Sequence, residues 1–154
     1  MNFGTLLKPE AVKVVTSASS KKRLFHEIGD LVQSAYDLNA ALVVESLIAR
    51  EALGPTGVGH GVALPHARLD GISDVMGAFV LLDKPIDFDA VDRQPVDIAF
   101  ALFAPEEAGV EHLKALALVS RTLRDTAICN KLRANPDAST LFAILNEAKP
   151  AQAA

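Results

Sequence analysis

The stretch GPTGVGHGVALPHAR, residues 54–68, is where the chain departs from ordinary apolar periodicity. Four glycines (Gly54, Gly57, Gly59 and Gly61) fall within eight residues, and the run then closes on Ala-Leu-Pro-His. Pro65 fixes its own φ and pushes Leu64 toward an extended conformation. His66 is therefore expected at the end of a short, stiff strand, VALP (62–65). The glycines let the preceding backbone fold tightly beside the imidazole. Such an arrangement suits a ring nitrogen that something large must approach with main-chain groups close at hand. The same glycine crowding also occurs in plain turns.

Upstream of this loop the pattern is helical. Ser19 and Ser20 are candidate N-caps, and Leu24, Ile28, Leu31, Val32 and Ala35 recur at helical spacing, which predicts a helix over about 20–36. Asn39 caps a second helix, AALVVESLIAREAL (40–53), which Gly54 ends. Downstream, VMGAFVLL (75–82) and VDIAFALF (96–103) read as buried strands. Between them DKPIDFDAVDRQPVD (83–97) carries two prolines and five aspartates, as a turn or an edge hairpin does. Two or three helices follow Pro105, over about 110–124, 126–134 and 138–147. Helices at both ends with strands between them predict an α/β fold: a single-domain sandwich in which a mixed β-sheet is flanked by helices on both faces. The domain is expected to span 1–148, with 149–154 as a frayed C-terminal tail.

Composition narrows the function. The 154 residues suit one domain, and half of them are apolar, enough for an ordinary core. Net charge is −4, with 15 basic and 19 acidic residues spread along the chain, which argues against nucleic acid as a partner. The one basic cluster, Lys21-Lys22-Arg23, is expected to solvate a helix start. The N-terminus shows no leader pattern and no apolar run is long enough to insert in a membrane. The single cysteine, Cys129, fits a small buried hydrophobe in a reducing compartment. A soluble, cytoplasmic protein is the expectation.

Common enzyme motifs fail. No lysine follows the glycines as a P-loop requires, and G-x-G-x-x-G breaks at Val62. G-x-S-x-G, H-E-x-x-H and C-x-x-C do not occur. What remains is histidine chemistry. His26 reads as a surface or half-buried helical residue, and His60, between glycines, as exposed and mobile. His112 falls in the first turn of the helix at 110–124, where the macrodipole disfavours added positive charge and free N–H groups favour phosphate. Its imidazole is expected to stay neutral. Arg50 closes the second helix with a planar fork able to brace a phosphoryl group. Singly, each has a bland reading as a packed histidine or a helix-terminal cation.

Jointly these residues resemble a known family. IAREALGPTGVGHGVALPHARLDG (48–71) and PVDIAFALFAPEEAGVEHLKALALVSRTLRD (95–125) resemble the fructose/mannitol-type IIA proteins of the bacterial phosphotransferase system, and within it the nitrogen-regulatory branch. The arginine–glutamate pair, the T-G-V-G loop, A-L-P-H and the P…HL…LA element carry the likeness. The resemblance implies that His66 accepts a phosphoryl group, that His112 is the second active-site histidine and that Arg50 stabilises the phosphohistidine. It implies that Thr56, Gly57, Gly59, Gly61 and Pro65 shape the phosphoryl pocket, with no cofactor and no metal. It further implies an HPr-like phosphocarrier as donor, charged by an enzyme I homologue, and regulatory targets such as potassium transporters or sensor kinases. Such a protein is a carrier with a transient phosphohistidine that turns over no small molecule. His60 stands where this branch often has asparagine, and Ala67 where glycine is common.

Three other readings stay open on the sequence. One is a sugar-specific IIA subunit of a fructose/mannitol-type permease. The second is a metal-dependent hydrolase with His60, His66 and His112 as ligands. The third is a non-catalytic binding module whose glycine loop shapes an anion pocket.

Overall fold

A computed structural model describes residues 1–148, and the expected tail at 149–154 lies outside the described residues. The chain opens on a one-turn helix, α1 (Phe3–Leu6), capped by the Asn2 side chain, and passes directly into an edge strand, β1 (Leu7–Val15). Neither element is foreseen by the sequence reading, which places helices at both ends. β1 escapes it because Lys8, Pro9, Glu10 and Lys13 break the apolar run. An edge strand tolerates charge and proline, and its ladder shifts register between Leu7 and Val12.

Two helices follow where expected. α2 (Lys21–Tyr36) starts at a Ser20 cap that accepts from the Arg23 N–H, and α3 (Ala40–Glu51) at an Asn39 cap that accepts from the Leu42 N–H. α3 stops two residues short of the expected Leu53, because Leu53 and Gly54 turn back onto the carbonyls of Arg50 and Glu51. Three short strands then run β2 (Gly57–Gly59), β3 (Val62–Ala63) and β4 (His66–Leu69), followed by two long ones, β5 (Met76–Ile86) and β6 (Val96–Pro105). Helices α4 (Val110–Arg124), α5 (Thr126–Arg133) and α6 (Ala138–Glu147) complete the described chain.

The six strands form one mixed sheet in the order β1-β5-β6-β3-β2, with β4 also paired to β6. β5 and β6 run antiparallel at its centre, whereas β1 pairs parallel to β5 and both β3 and β4 parallel to β6. Of the turn or edge hairpin expected at 83–97, the turn is found at 87–95 between β5 and β6, and the edge position is corrected. The two ends of the segment belong to interior strands, and Pro85 is accommodated where the β5–β6 register slips between Leu81 and Ile86. Helices cover both faces: α2 packs on β1 and β5 and α3 on β4, while α6 packs on β1 and α4 on β6.

The core is aromatic at the sheet's middle. Phe79 and Phe100 sit opposite each other on β5 and β6, ring centroids 6.2 Å apart, and Phe3 closes on Phe100 at 5.6 Å. Cys129 is buried as expected, its thiol near the Leu123 carbonyl and its pKa pushed up chiefly by desolvation. His26 is exposed on α2.

Tyr36 staples the first helix to the sheet. Its hydroxyl donates to the Gly77 carbonyl at 2.7 Å and accepts from the Lys8 N–H at 3.1 Å, joining the end of α2 to β5 and β1. Burial raises its pKa, so the neutral, donating form persists well past neutrality. Tyr36→Phe is expected to lower the unfolding free energy by about 1–2 kcal/mol, since a buried acceptor loses its donor. Urea denaturation at neutral pH measures it, and an unchanged midpoint would show that the staple carries no stability.

Candidate functional site

His66 opens β4; it does not end the preceding strand. The expected strand at 62–65 is broken, because β3 stops at Ala63 and Leu64-Pro65 leaves the ladder. Proline has no N–H to give a sheet. Yet β3 and β4 keep one register along β6, since Val62 and Ala63 oppose Ile98 and Ala99 while His66 and Ala67 oppose Leu102 and Phe103. The interruption therefore shifts nothing and frees one carbonyl, that of Leu64. This oxygen lies 2.8 Å from Nδ1 of His66. A carbonyl can only accept, so Nδ1 carries the proton and Nε2 keeps its lone pair.

His112 meets this ring from the first turn of α4. The two imidazoles stand edge to face, with centroids 5.8 Å apart. His112 is 7% exposed, and its buried Nε2 has no hydrogen-bond partner among the described residues. Desolvation foremost, then the fields of His66 and Arg68, hold its pKa below the ordinary histidine value. A neutral imidazole follows, as the helix position predicts.

Two arginines complete a cleft of about 450 Å³ lined by Ser46, Arg50, Leu53, His66, Arg68 and His112 among others. Arg50 Nη1 donates to the Gly54 carbonyl at 3.0 Å, across the turn that ends α3. Arg68 is absent from the sequence reading. The signal was there: strand side chains alternate, so residue 68 shares the outward face of residue 66. Finding it needed His66 to start a strand, and the sequence placed it at a strand's end.

The glycine loop takes a different place. Gly57 lies in β2 against Ala90, where an added Cβ would stand 2.7 Å from the Ala90 Cβ. Gly61, at φ +80°, leaves room for Arg133, which forks onto Asp97 and also donates to the His60 carbonyl. Gly59 faces Asp92. These contacts lock the β2–β3 turn to the 87–95 loop, to the start of β6 and to α5. Thr56 hangs on the buried Glu51, whose carboxylate accepts its N–H at 2.9 Å and its hydroxyl at 2.6 Å. Lys21 pairs with the same carboxylate at 2.9 Å and stacks over Phe88. It is no mere solvating cation. Neither Glu51 nor Lys21 is singled out by the sequence as a support for the loop.

His60 is exposed as expected, but its backbone is pinned. Its N–H donates to Asp92 at 2.9 Å and its carbonyl accepts from Arg133 at 2.8 Å, which holds a left-handed φ of 56°. It lines a separate cavity between the β2–β3 turn and α4 with Ser120 and Arg124. Among the described residues no group of three His, Cys, Asp or Glu side chains is placed to hold a metal ion. The three histidines of the hydrolase reading do not converge. Among the described residues no helix is long and apolar enough to cross a membrane.

A family model described as "Phosphoenolpyruvate-dependent sugar phosphotransferase system, EIIA 2" matches residues 5–148. A nitrogen regulatory protein of Bradyrhizobium diazoefficiens is 45% identical over 145 residues, covering 94% of this chain and 95% of its own. One from Pseudomonas aeruginosa is 38% identical and covers 96% of each. The crystal structure of the nitrogen regulatory protein IIA-Ntr from Neisseria meningitidis superposes with a TM-score of 0.85 at 40% identity, covering 93% of this chain and 98% of that one.

The lowered His112 pKa sets a pH dependence. The unfolded chain binds a proton at this residue as pH falls through about 6.5, while the folded chain resists until lower pH. In that window the unfolded state holds more protons, so acidification destabilises the fold. Wild type is expected to lose stability more steeply than His112→Gln from pH 6.5 downward, read by urea unfolding across pH. Parallel curves would mean that the burial of His112 does not disfavour its charged form.

Proposed function

The chain belongs to the EIIA 2 family of the phosphoenolpyruvate-dependent sugar phosphotransferase system, and from that premise we propose that it is a phosphocarrier that accepts a phosphoryl group on Nε2 of His66. The carrying observation is the 2.8 Å contact between Nδ1 and the Leu64 carbonyl, which leaves Nε2 as the nucleophile in a cleft shared with His112 and Arg50.

The transfer is a displacement at phosphorus. The lone pair of Nε2 forms the new N–P bond as the donor's N–P bond breaks, its electron pair returning to the donor nitrogen. His66 keeps its Nδ1 proton on Leu64, and the positive character that grows on the ring is shared with that carbonyl. A loose transition state spreads charge over the equatorial oxygens, so positioning and charge neutralisation do most of the catalysis. Arg50 supplies positive charge, and neutral His112 supplies a ring nitrogen with no competing partner among the described residues. Thr56, Gly57, Gly59, Gly61 and Pro65 act on this reading through the backbone: they hold the segment that ends in the Leu64 carbonyl. The Leu64 N–H itself donates to the Thr56 carbonyl at 2.9 Å.

The donor is an HPr-like phosphocarrier charged by an enzyme I homologue. Apolar side chains around the cleft suit protein docking: Leu53, on its lip, is 84% exposed, and Leu113, next to His112, is 68% exposed. Identity with nitrogen regulatory proteins over nearly the full chain favours that branch over a permease subunit. The output is then regulatory: a phosphoryl dianion on an apolar face admits some targets, such as potassium transporters or sensor kinases, and repels others.

Intact-mass analysis after incubation with phosphoenolpyruvate, an enzyme I homologue and an HPr-like carrier tests this. One acid-labile phosphoryl adduct is expected on wild type and none on His66→Ala, with slower charging of His112→Ala and Arg50→Ala. An adduct that survives in His66→Ala, or none on wild type with donors shown active, would overturn the assignment.

A further inference from the structure

Arg68 holds its charge in an unusual way. It stands two residues beyond His66 on β4, where the burial alternates half-buried His66, buried Ala67, exposed Arg68, buried Leu69. Both residues pair with β6, His66 opposite Leu102 and Arg68 opposite Ala104, so their side chains leave the same face of one rigid strand. Both line the cleft with Arg50 and His112. No carboxylate is paired with Arg68 among the described residues, although Glu106, Glu107 and Glu111 follow closely on the facing segment. Its Nη1 donates instead to backbone carbonyls, those of Glu106 at 3.1 Å, of Ala108, and of Pro105 at 3.4 Å.

The rest of the guanidinium is uncommitted. Among the described residues Nε and Nη2 make no hydrogen bond. That edge is the one that offers two parallel N–H groups to a carboxylate or phosphate. Arg133 shows what this sequence does with such an edge when an acid is to be bound: Nε and Nη2 both donate to Asp97. Arg68 lines the cleft of His66 and also an adjoining cavity with Asp70 and Glu106, and among the described residues the corresponding edge makes no hydrogen bond. The field of this cation reaches into the cleft, where it contributes to keeping His112 unprotonated.

We propose that Arg68 is a second phosphoryl-binding arginine, whose Nε–Nη2 edge pairs with the oxygens of the phosphoryl group on His66 while Nη1 stays on the carbonyls of residues 105–108. The inference rests on the reading of His66 as the acceptor. Arg68 makes and breaks no bond. The phosphorus leaves the donor nitrogen with the electron pair staying behind, Nε2 of His66 forms the new bond, and Arg68 neutralises charge on the oxygens. Arg50 and Arg68 then flank the group, each anchored by one nitrogen to backbone carbonyls, so neither side chain must be ordered at the moment of transfer.

The equilibrium constant for phosphoryl exchange with the HPr-like carrier discriminates best, because docking contacts cancel between separated reactants and separated products. It is read from the phosphorylated fraction of each protein by intact mass, on wild type, Arg68→Gln and Arg68→Lys, each checked by thermal unfolding. Gln keeps a donor for the 105–108 carbonyls and loses the charge; Lys keeps the charge and loses the fork. Removing a charge-assisted contact at an exposed site is expected to lower the constant about tenfold in Arg68→Gln, and losing only the fork about threefold in Arg68→Lys. A wild-type constant in either folded variant overturns the proposal while leaving His66 as acceptor. Failure of wild type to take any phosphoryl group from an active carrier overturns both.

Discussion

The hydrogen bond between the Leu64 carbonyl and Nδ1 of His66 is the constraint around which the site is built. It fixes the tautomer of the neutral ring, and the tautomer decides which nitrogen keeps a free lone pair. The carbonyl is free to make it only because Leu64 and Pro65 step out of a sheet ladder that resumes unshifted at His66. Both flanks of that step are tied down. The Leu64 N–H donates to the Thr56 carbonyl, and the Pro65 carbonyl accepts from the Leu102 N–H at 3.0 Å. A one-residue slip on either side would turn the ring to the opposite face of the sheet.

The supports extend outward from this point. Glu51 holds Thr56 and is itself held by Lys21, so the end of α3, the start of α2 and the loop entering β2 share one buried carboxylate. On the other side Arg133 grips Asp97 and the His60 carbonyl, linking α5, β6 and the β2–β3 turn. Each network joins a cation to an acceptor set that leaves few polar groups unpaired, the condition under which burying charge is tolerated. The glycines belong to these supports: at Gly57 and Gly61 the neighbour occupies the space a side chain would need.

Charge in the cleft has the opposite arrangement. Arg50 and Arg68 are held by backbone carbonyls, and among the described residues neither is paired with a carboxylate, so their positive charge is not cancelled by an acid. Burial disfavours the charged form of His112, and among the described residues its Nε2 has no partner. Fixed cations beside a buried polar atom form an arrangement whose field favours negative charge.

Local signals made much of this legible in one dimension. Caps at Ser20 and Asn39, periodicity in α2 and α4, and the apolar runs of β5 and β6 are local, and each element forms where its signal lies. The Pro65-His66 step and the first-turn position of His112 singled out the two imidazoles that the fold brings to 5.8 Å. β1 was hidden because a half-exposed edge strand carries charges and a proline, and β4 because four residues after a proline show too little alternation to register. Arg68 was lost with β4. The sequence by itself determined the existence and starts of α2 and α3 and the proline step before His66, because these depend on neighbours along the chain. Only the tertiary structure decided which nitrogen of His66 is free, which arginines stand beside it and what the glycines make room for. Those depend on Leu64, β6, Ala90 and Arg133, brought together by a register that no local pattern encodes.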